Sequence, residues 1–86
     1  MELRPHADVA WRRVDDDVVL VQLRTNRIYS LNATAARAWE LISEGTARTD
    51  IERILLEEFD VEAADLIASV EDLLQQLAQA ELLAPR

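Results

Sequence analysis

The run Val18-Val19-Leu20-Val21-Gln22-Leu23 is bounded by two short polar turns, Asp15-Asp16-Asp17 before it and Arg24-Thr25-Asn26-Arg27 after it. β-Branched and apolar side chains in such a run suit the central and most buried strand of a sheet. Turns this short leave no room for a crossover, so the flanking segments must return antiparallel. On the N-terminal side, Val9, Trp11 and Arg13 alternate with Ala10, Arg12 and Val14, which makes a first strand. On the C-terminal side, Ile28-Tyr29-Ser30-Leu31 makes a short third one. Asn26 falls in the second turn, where asparagine tolerates positive φ. The expected result is a three-stranded meander with the first and third strands at its edges.

The rest of the sequence reads as three helices. Asn32 is a good N-cap for Ala33–Ser43, a run of helix formers with Trp39, Leu41 and Ile42 on one side. Gly45, the only glycine, fits the position that ends this helix. Thr49-Asp50-Ile51-Glu52 reads as a capping box opening a second helix through about Glu58, with Ile51, Ile54, Leu55 and Phe59 on its face. Asp60 is placed to cap a third helix, about Val61 to Ala80. The fold class is therefore α+β, a three-stranded antiparallel meander followed by three α-helices, with strands over about 9–31 and helices over about 33–80. Trp39, Leu41, Leu55 and Phe59 are read as core. At about 100° per residue, the third helix places Leu66, Leu73, Leu77, Val70, Leu74 and Ile67 within an arc of about 120°. Ser69, Gln76 and Ala80 lie along one rim with Asp72 beyond them; Ala78 and Glu71 lie on the other. Such an arc is either an ordinary buried face or one with a rim left for a partner.

Length and composition then remove whole classes of function. A chain of 86 residues is expected to form one domain over 1–86, with a thin core and no room for a buried catalytic apparatus. Half the residues are hydrophobic and 30% are charged, which is a globular balance. There is no cysteine, so neither a disulfide framework nor a thiolate metal site is available. The only histidine, His6, sits in what reads as a frayed N-terminus, so no metal or cofactor is expected. The longest apolar run, Val18–Val21, is far short of a membrane span, and the N-terminus MELRPHADV lacks a signal-peptide core. The expectation is a soluble, cytoplasmic protein with no membrane partner.

Seventeen acids face nine basic residues, all arginine, for a net charge of −8. Residues 1–43 hold six Arg and six acids, whereas residues 44–86 hold three Arg and eleven acids and so carry the whole excess. Strands with three helices also suit a winged helix-turn-helix DNA-binding regulator, which needs a basic face. Here the expected second helix has Arg53 and the third has no Arg, so no nucleic-acid partner is expected. There is no Gly-rich phosphate loop and no nucleophile elbow. Ser30, Ser43 and Ser69 have no histidine near them in sequence to activate them. Glu57-Glu58 and Glu71-Asp72 point about 100° apart on a helix, so they are not acid–base dyads. The Asp15-Asp16-Asp17 run lacks the Gly and distal Glu of a calcium loop and reads as a solvated turn. No catalytic residue is expected.

A binding role remains. Ile28–Leu31 carries no Pro, no Lys and no inward charge, so it lacks the devices that protect an edge strand. It can accept a strand from a peptide, pair with a second copy, or be covered by the chain's own helix.

The segment Tyr29-Ser30-Leu31-Asn32-Ala33-Thr34-Ala35-Ala36-Arg37-Ala38-Trp39-Glu40-Leu41-Ile42, followed by Gly45-Thr46, resembles the PqqD family. So do Phe59-Asp60-Val61, Val70-Glu71-Asp72-Leu73-Leu74-Gln75-Gln76-Leu77 and the late Glu81-Leu82-Leu83. The resemblance runs from Val9 to Leu83. It implies a small winged helix-turn-helix-like domain that acts as a precursor peptide recognition element, without catalytic residues. Such domains bind the leader region of a ribosomally synthesised precursor peptide and present it to modifying enzymes. The leader is then expected to add as a strand to the third strand and to lie against the third helix. Carried onto this sequence, the strand contacts are Arg27, Ile28, Tyr29, Ser30 and Leu31. Asp72 matches the family's recurrent acid, which selects the rim of Leu66, Ser69, Leu73 and Gln76 as the groove wall, with Val70 on its floor. Basic groups of a leader would be favoured by Asp72 and the acidic helical half. A stand-alone domain of this length looks most like the recognition proteins of lasso peptide pathways. Those imply a leader peptidase of the cysteine protease type and a macrocyclase as partners. The alternative is a PqqD-type peptide chaperone working with a radical SAM enzyme in PQQ-like biosynthesis.

Overall fold

Two left-handed residues set the sheet. Asp15 (φ 57°) and Asn26 (φ 60°) turn the chain where short polar side chains tolerate that conformation. The computed structural model describes residues 3–84, so positions 1–2 and 85–86 of the expected 1–86 span lie outside the described residues. Its strands are β1 (Val9–Val14), β2 (Asp17–Gln22) and β3 (Arg27–Leu31), antiparallel in the order β1-β2-β3. Leu23, expected at the end of the central strand, instead belongs to the turn and is 62% exposed. The turn closes when the Asn26 N–H bonds to the Gln22 carbonyl at 2.7 Å, which pairs Gln22 with Arg27 and draws Arg27 into β3.

Register decides which side chains face the helices. Trp11 lies opposite Leu20, which lies opposite Tyr29; Arg13, Val18 and Leu31 form the next row. Val18 and Leu20 on this inner face are fully buried, and β2 is the most buried strand. Side chains alternate across a strand, so Val19, Val21, Ile28 and Ser30 lie on the outer face.

The helices are α1 (Ala33–Ser43), α2 (Arg48–Glu58) and α3 (Ala63–Gln79). Asn32 caps α1: its side-chain oxygen accepts the Ala35 N–H at 3.1 Å. Gly45 (φ 86°) ends it, with the Gly45 N–H on the Ile42 carbonyl and the Thr46 N–H on the Leu41 carbonyl, both 3.0 Å. That turn corrects the reading of the next helix. Ala47, not Thr49, is its N-cap, and no side chain caps it. The Ala47 carbonyl already accepts the Asp50 and Ile51 N–H groups, so Thr49 lies inside the first turn and Arg48 joins the helix. Asp50 remains in the first turn, where a negative charge suits the helix N-terminus. α3 also starts later than expected, after Glu62 rather than Asp60. Phe59 is extended (φ −119°, ψ 142°) and packs against the core, which holds Asp60 and Val61 in a link.

Trp39, Leu41 and Leu55 are buried and Phe59 is half-buried against them, as their sequence positions imply. Trp39 meets Trp11 edge to face, 6.4 Å between ring centroids. α3 contributes Leu66, Val70 and Leu77. Ile67, at the end of the expected apolar arc, is 44% exposed because the cover lies toward the Leu66 side. Nor is the His6 segment frayed. The His6 N–H bonds to the Leu82 carbonyl at 2.9 Å and the Ala84 N–H to the Arg4 carbonyl at 2.8 Å, around a bridge of Pro5 with Leu83. Burial of Leu82 anchors this strap. Among the described residues, no helix is long and apolar enough to cross a membrane, and no group of His, Cys, Asp and Glu is placed to hold a metal ion.

Arg37 on α1 grips both carboxylate oxygens of Glu58 on α2, at 2.8 and 3.0 Å. The hydrogen bond from Arg37 holds the Glu58 carboxyl below its usual range and raises Arg37 above its own. A carboxyl depressed by folding stabilises the fold above its unfolded pKa, and the benefit is lost as pH falls through the folded value. Glu58→Gln should therefore lower stability by less than about 1 kcal/mol at neutral pH. The difference from wild type should vanish in acid, as read by chemical denaturation across pH. Trp39→Ala should cost about 3–5 kcal/mol in the same assay, a large part of the stability of so small a fold.

Candidate binding groove

β3 pairs with β2 along one side only; among the described residues no strand takes its other side. No Cα of α3 comes within 8 Å of a Cα of β3, and Arg27, Ile28 and Ser30 on that strand are exposed. The opposite edge, β1, carries Arg12 and Arg13, charges of the kind that discourage strand addition. Both outer edges of the sheet are thus unpaired among the described residues, and β3 is the one that leads through Asn32 into α1 and the groove.

The five strand residues singled out in the sequence divide by face. Arg27, Tyr29 and Leu31 share the inner face with Gln22, Leu20 and Val18, while Ile28 and Ser30 point the other way. Tyr29 is half-buried against the core, Leu31 is 9% exposed and Ile28 is 71% exposed. Leu31 is thus a core side chain, and what it offers at the edge is its backbone.

The six α3 residues come together in one groove of about 380 Å³. Leu66 and Val70 are buried at its floor, and Leu73 is half-buried beside them. Ser69, Asp72 and Gln76 stand exposed along its rim. The strand residues do not line this groove; they form the edge that runs up to it. Its other wall comes from Asn32, Thr34, Ala35 and Ala38 at the start of α1, with Leu55, Val61 and Asp65 completing it. These wall residues were missed in the sequence, where Asn32 and Ala38 read as helix cap and helix body. Two signals were available. Asp65 lies seven residues before Asp72, two turns earlier on the same stripe. β3 also passes into α1 with only Asn32 between them.

The charged residues lining the groove are Asp65 and Asp72, both acids. Asp72 is oriented by the Gln76 side-chain amide, which donates to it at 2.9 Å. No histidine lines this groove: His6 lines a separate hollow together with Glu71, Leu74 and Ala78, on the far flank of α3. Ser69 therefore has no histidine beside it in this groove. An apolar floor, a polar acidic rim and a free strand edge together can bind an extended peptide with apolar and basic side chains.

A family model described as Coenzyme PQQ synthesis protein D (PqqD) matches residues 17–83. None of the curated proteins is similar enough to count as a match. Among solved structures, the chain is similar to one described as TbiB1 in complex with the TbiA(beta) leader peptide. The two share 30% identity over 96% of each chain, with a TM-score of 0.90. It is also similar to one described as lasso peptide synthetase B1 complexed with the leader peptide, at 25% identity and a TM-score of 0.88 over 99% of this chain and 100% of that one. The family match runs from the first residue of β2 into the strap beyond α3, taking in the open edge and the groove, and the chain belongs to the PqqD family.

Proposed function

We propose that this protein is a non-catalytic binding protein for the leader region of a ribosomally synthesised precursor peptide. The observation that carries this reading is the unpaired β3 edge beside the α3 groove, in a chain whose similar solved structures are described with leader peptides. A disordered leader adds as a fourth strand beside Arg27, Ile28, Tyr29, Ser30 and Leu31. Each backbone hydrogen bond contributes about 0.5–1.5 kcal/mol net. Apolar leader side chains settle against Tyr29, Leu66, Val70 and Leu73, at about 1.5–3 kcal/mol each. Ordering the leader opposes this by about 2–5 kcal/mol. Ser69, Asp72 and Gln76 form the polar rim, and Asp72 favours a basic leader group.

Capture without chemistry raises the local concentration of the precursor for a second protein. The full-length likeness to lasso B1 proteins supports delivery to a leader peptidase of the cysteine protease type and a macrocyclase. The PQQ description of the family model supports a second reading, in which the receiving enzyme is of the radical SAM type. Both share the capture step, and both place the protein in the cytoplasm with its precursor.

Titration of fluorescent leader peptides from lasso and PQQ-type precursors tests the capture. Micromolar or tighter binding of one leader is expected; binding of duplex DNA with no leader binding would contradict it. Leu73→Glu should weaken leader binding by about tenfold or more, since a buried apolar contact is replaced by a desolvated charge. Gln75→Glu, on the far flank of α3, should leave it unchanged. Asp72→Asn should weaken binding of leaders carrying Lys or Arg near the apolar anchors, and should flatten its salt dependence. A neutral leader should not distinguish the two proteins.

A further inference from the structure

We propose that Gln22 is a positioning residue for peptide capture, which ties the end of α3 to the β2–β3 hairpin and so sets the spacing between β3 and α3. The proposal rests on the leader-binding reading above. Gln22 is the last residue of β2 and is fully buried. Both ends of its amide are used. Nε2 donates to the Glu81 carbonyl at 2.5 Å, and Oε1 accepts the Arg24 N–H at 3.0 Å. Gln22 is also the register partner of Arg27, the residue that opens the binding strand. Glu81 directly follows the C-cap of α3 and takes a left-handed conformation, φ 59°, from which the chain returns to bond the Leu82 N–H to the Leu77 carbonyl. One side-chain amide thus joins the beginning of the edge strand to the end of the helix facing it.

The strap also joins sheet and helix at that end, through the His6 N–H on the Leu82 carbonyl, but it leads into β1, whereas Gln22 reaches the hairpin that carries β3. β3 and α3 keep more than 8 Å apart at Cα, so side chains set the spacing between them. At the other end they meet through α1, where Ala35 and Leu66 line the same groove. The Arg24 side chain pairs with the Glu81 carboxylate over the same junction, but that pair is half-exposed and therefore weak. A buried amide is tolerated only when paired, and an apolar residue would serve core packing without that requirement. The amide at position 22 therefore makes most sense as a spacer with fixed geometry. Capture needs the wall to be in place before the leader arrives. If the correct spacing were populated one-tenth of the time, apparent affinity would fall about tenfold.

The test replaces Gln22 with Met, which keeps the volume and removes both hydrogen bonds. Spin labels at Arg12→Cys and Gln75→Cys, both away from the proposed contacts, report the spacing between sheet and α3 by pulsed electron resonance. Leader affinity is measured by titration on the same proteins. The expected result is a folded Gln22→Met protein with a broadened distance distribution, about tenfold weaker leader binding, and a distribution that narrows again at saturating leader. If Gln22→Met does not fold, Gln22→Asn keeps an amide too short to reach Glu81 and carries the same expectation. Unchanged affinity in a folded variant, or weaker affinity with an unchanged distribution, overturns the proposal. If wild-type protein binds no leader, the leader-binding reading fails, while the distance distributions still show whether Gln22 holds the wall.

Discussion

The free N–H and C=O groups along β3 are the constraint on which the rest of this structure turns. Unpaired strand edges must be hydrated, covered or filled, and a protein that leaves one open carries an aggregation hazard. Here no strand pairs with that edge among the described residues, and no Cα of α3 comes within 8 Å of one in β3. α3 lies against α1 and α2, and its Leu66, Val70 and Leu77 join the common core. In the proposed capture the sheet contributes backbone pairing and the helix contributes apolar pockets for the peptide's side chains.

Charge follows the same division. The helical half of the chain holds the whole net −8, and the groove's charged lining is acidic at Asp65 and Asp72. Such a surface disfavours phosphate backbones and favours a peptide with a basic group near its apolar anchors. The inner face of β1 meets α1 through Trp11 on Trp39 and the Arg13–Glu40 ion pair, which hold the first strand to the helix.

Much of this was legible in the sequence because the decisive signals were local. Val18–Val21 between polar turns specifies β2, Asn26 and Gly45 mark left-handed positions, and Asn32 caps α1 as expected. What failed depended on chain reversals seen only in three dimensions. Thr49 lost its capping role because the Gly45–Thr46 turn already ends at Ala47, and Asp60 lost its own because Phe59 anchors the link in extended form. His6 read as loose because its partner, Leu82, lies at the other end of the chain. The helix side of the groove followed from periodicity and the family resemblance, since Leu66, Ser69, Val70, Asp72, Leu73 and Gln76 share one flank of α3. The α1 wall did not, because Ala35 and Ala38 carry no chemistry that distinguishes a groove from a helix interior.

Amide hydrogen exchange, with and without a bound leader, tests strand addition most directly, because it reads the very N–H groups a new strand would pair. Slower exchange is expected within β3 (Arg27–Leu31) and along the groove flank of α3, with the β1 edge unchanged. Leader binding that protects the β1 edge or the far flank of α3, and leaves β3 exchanging as in the free protein, would contradict it.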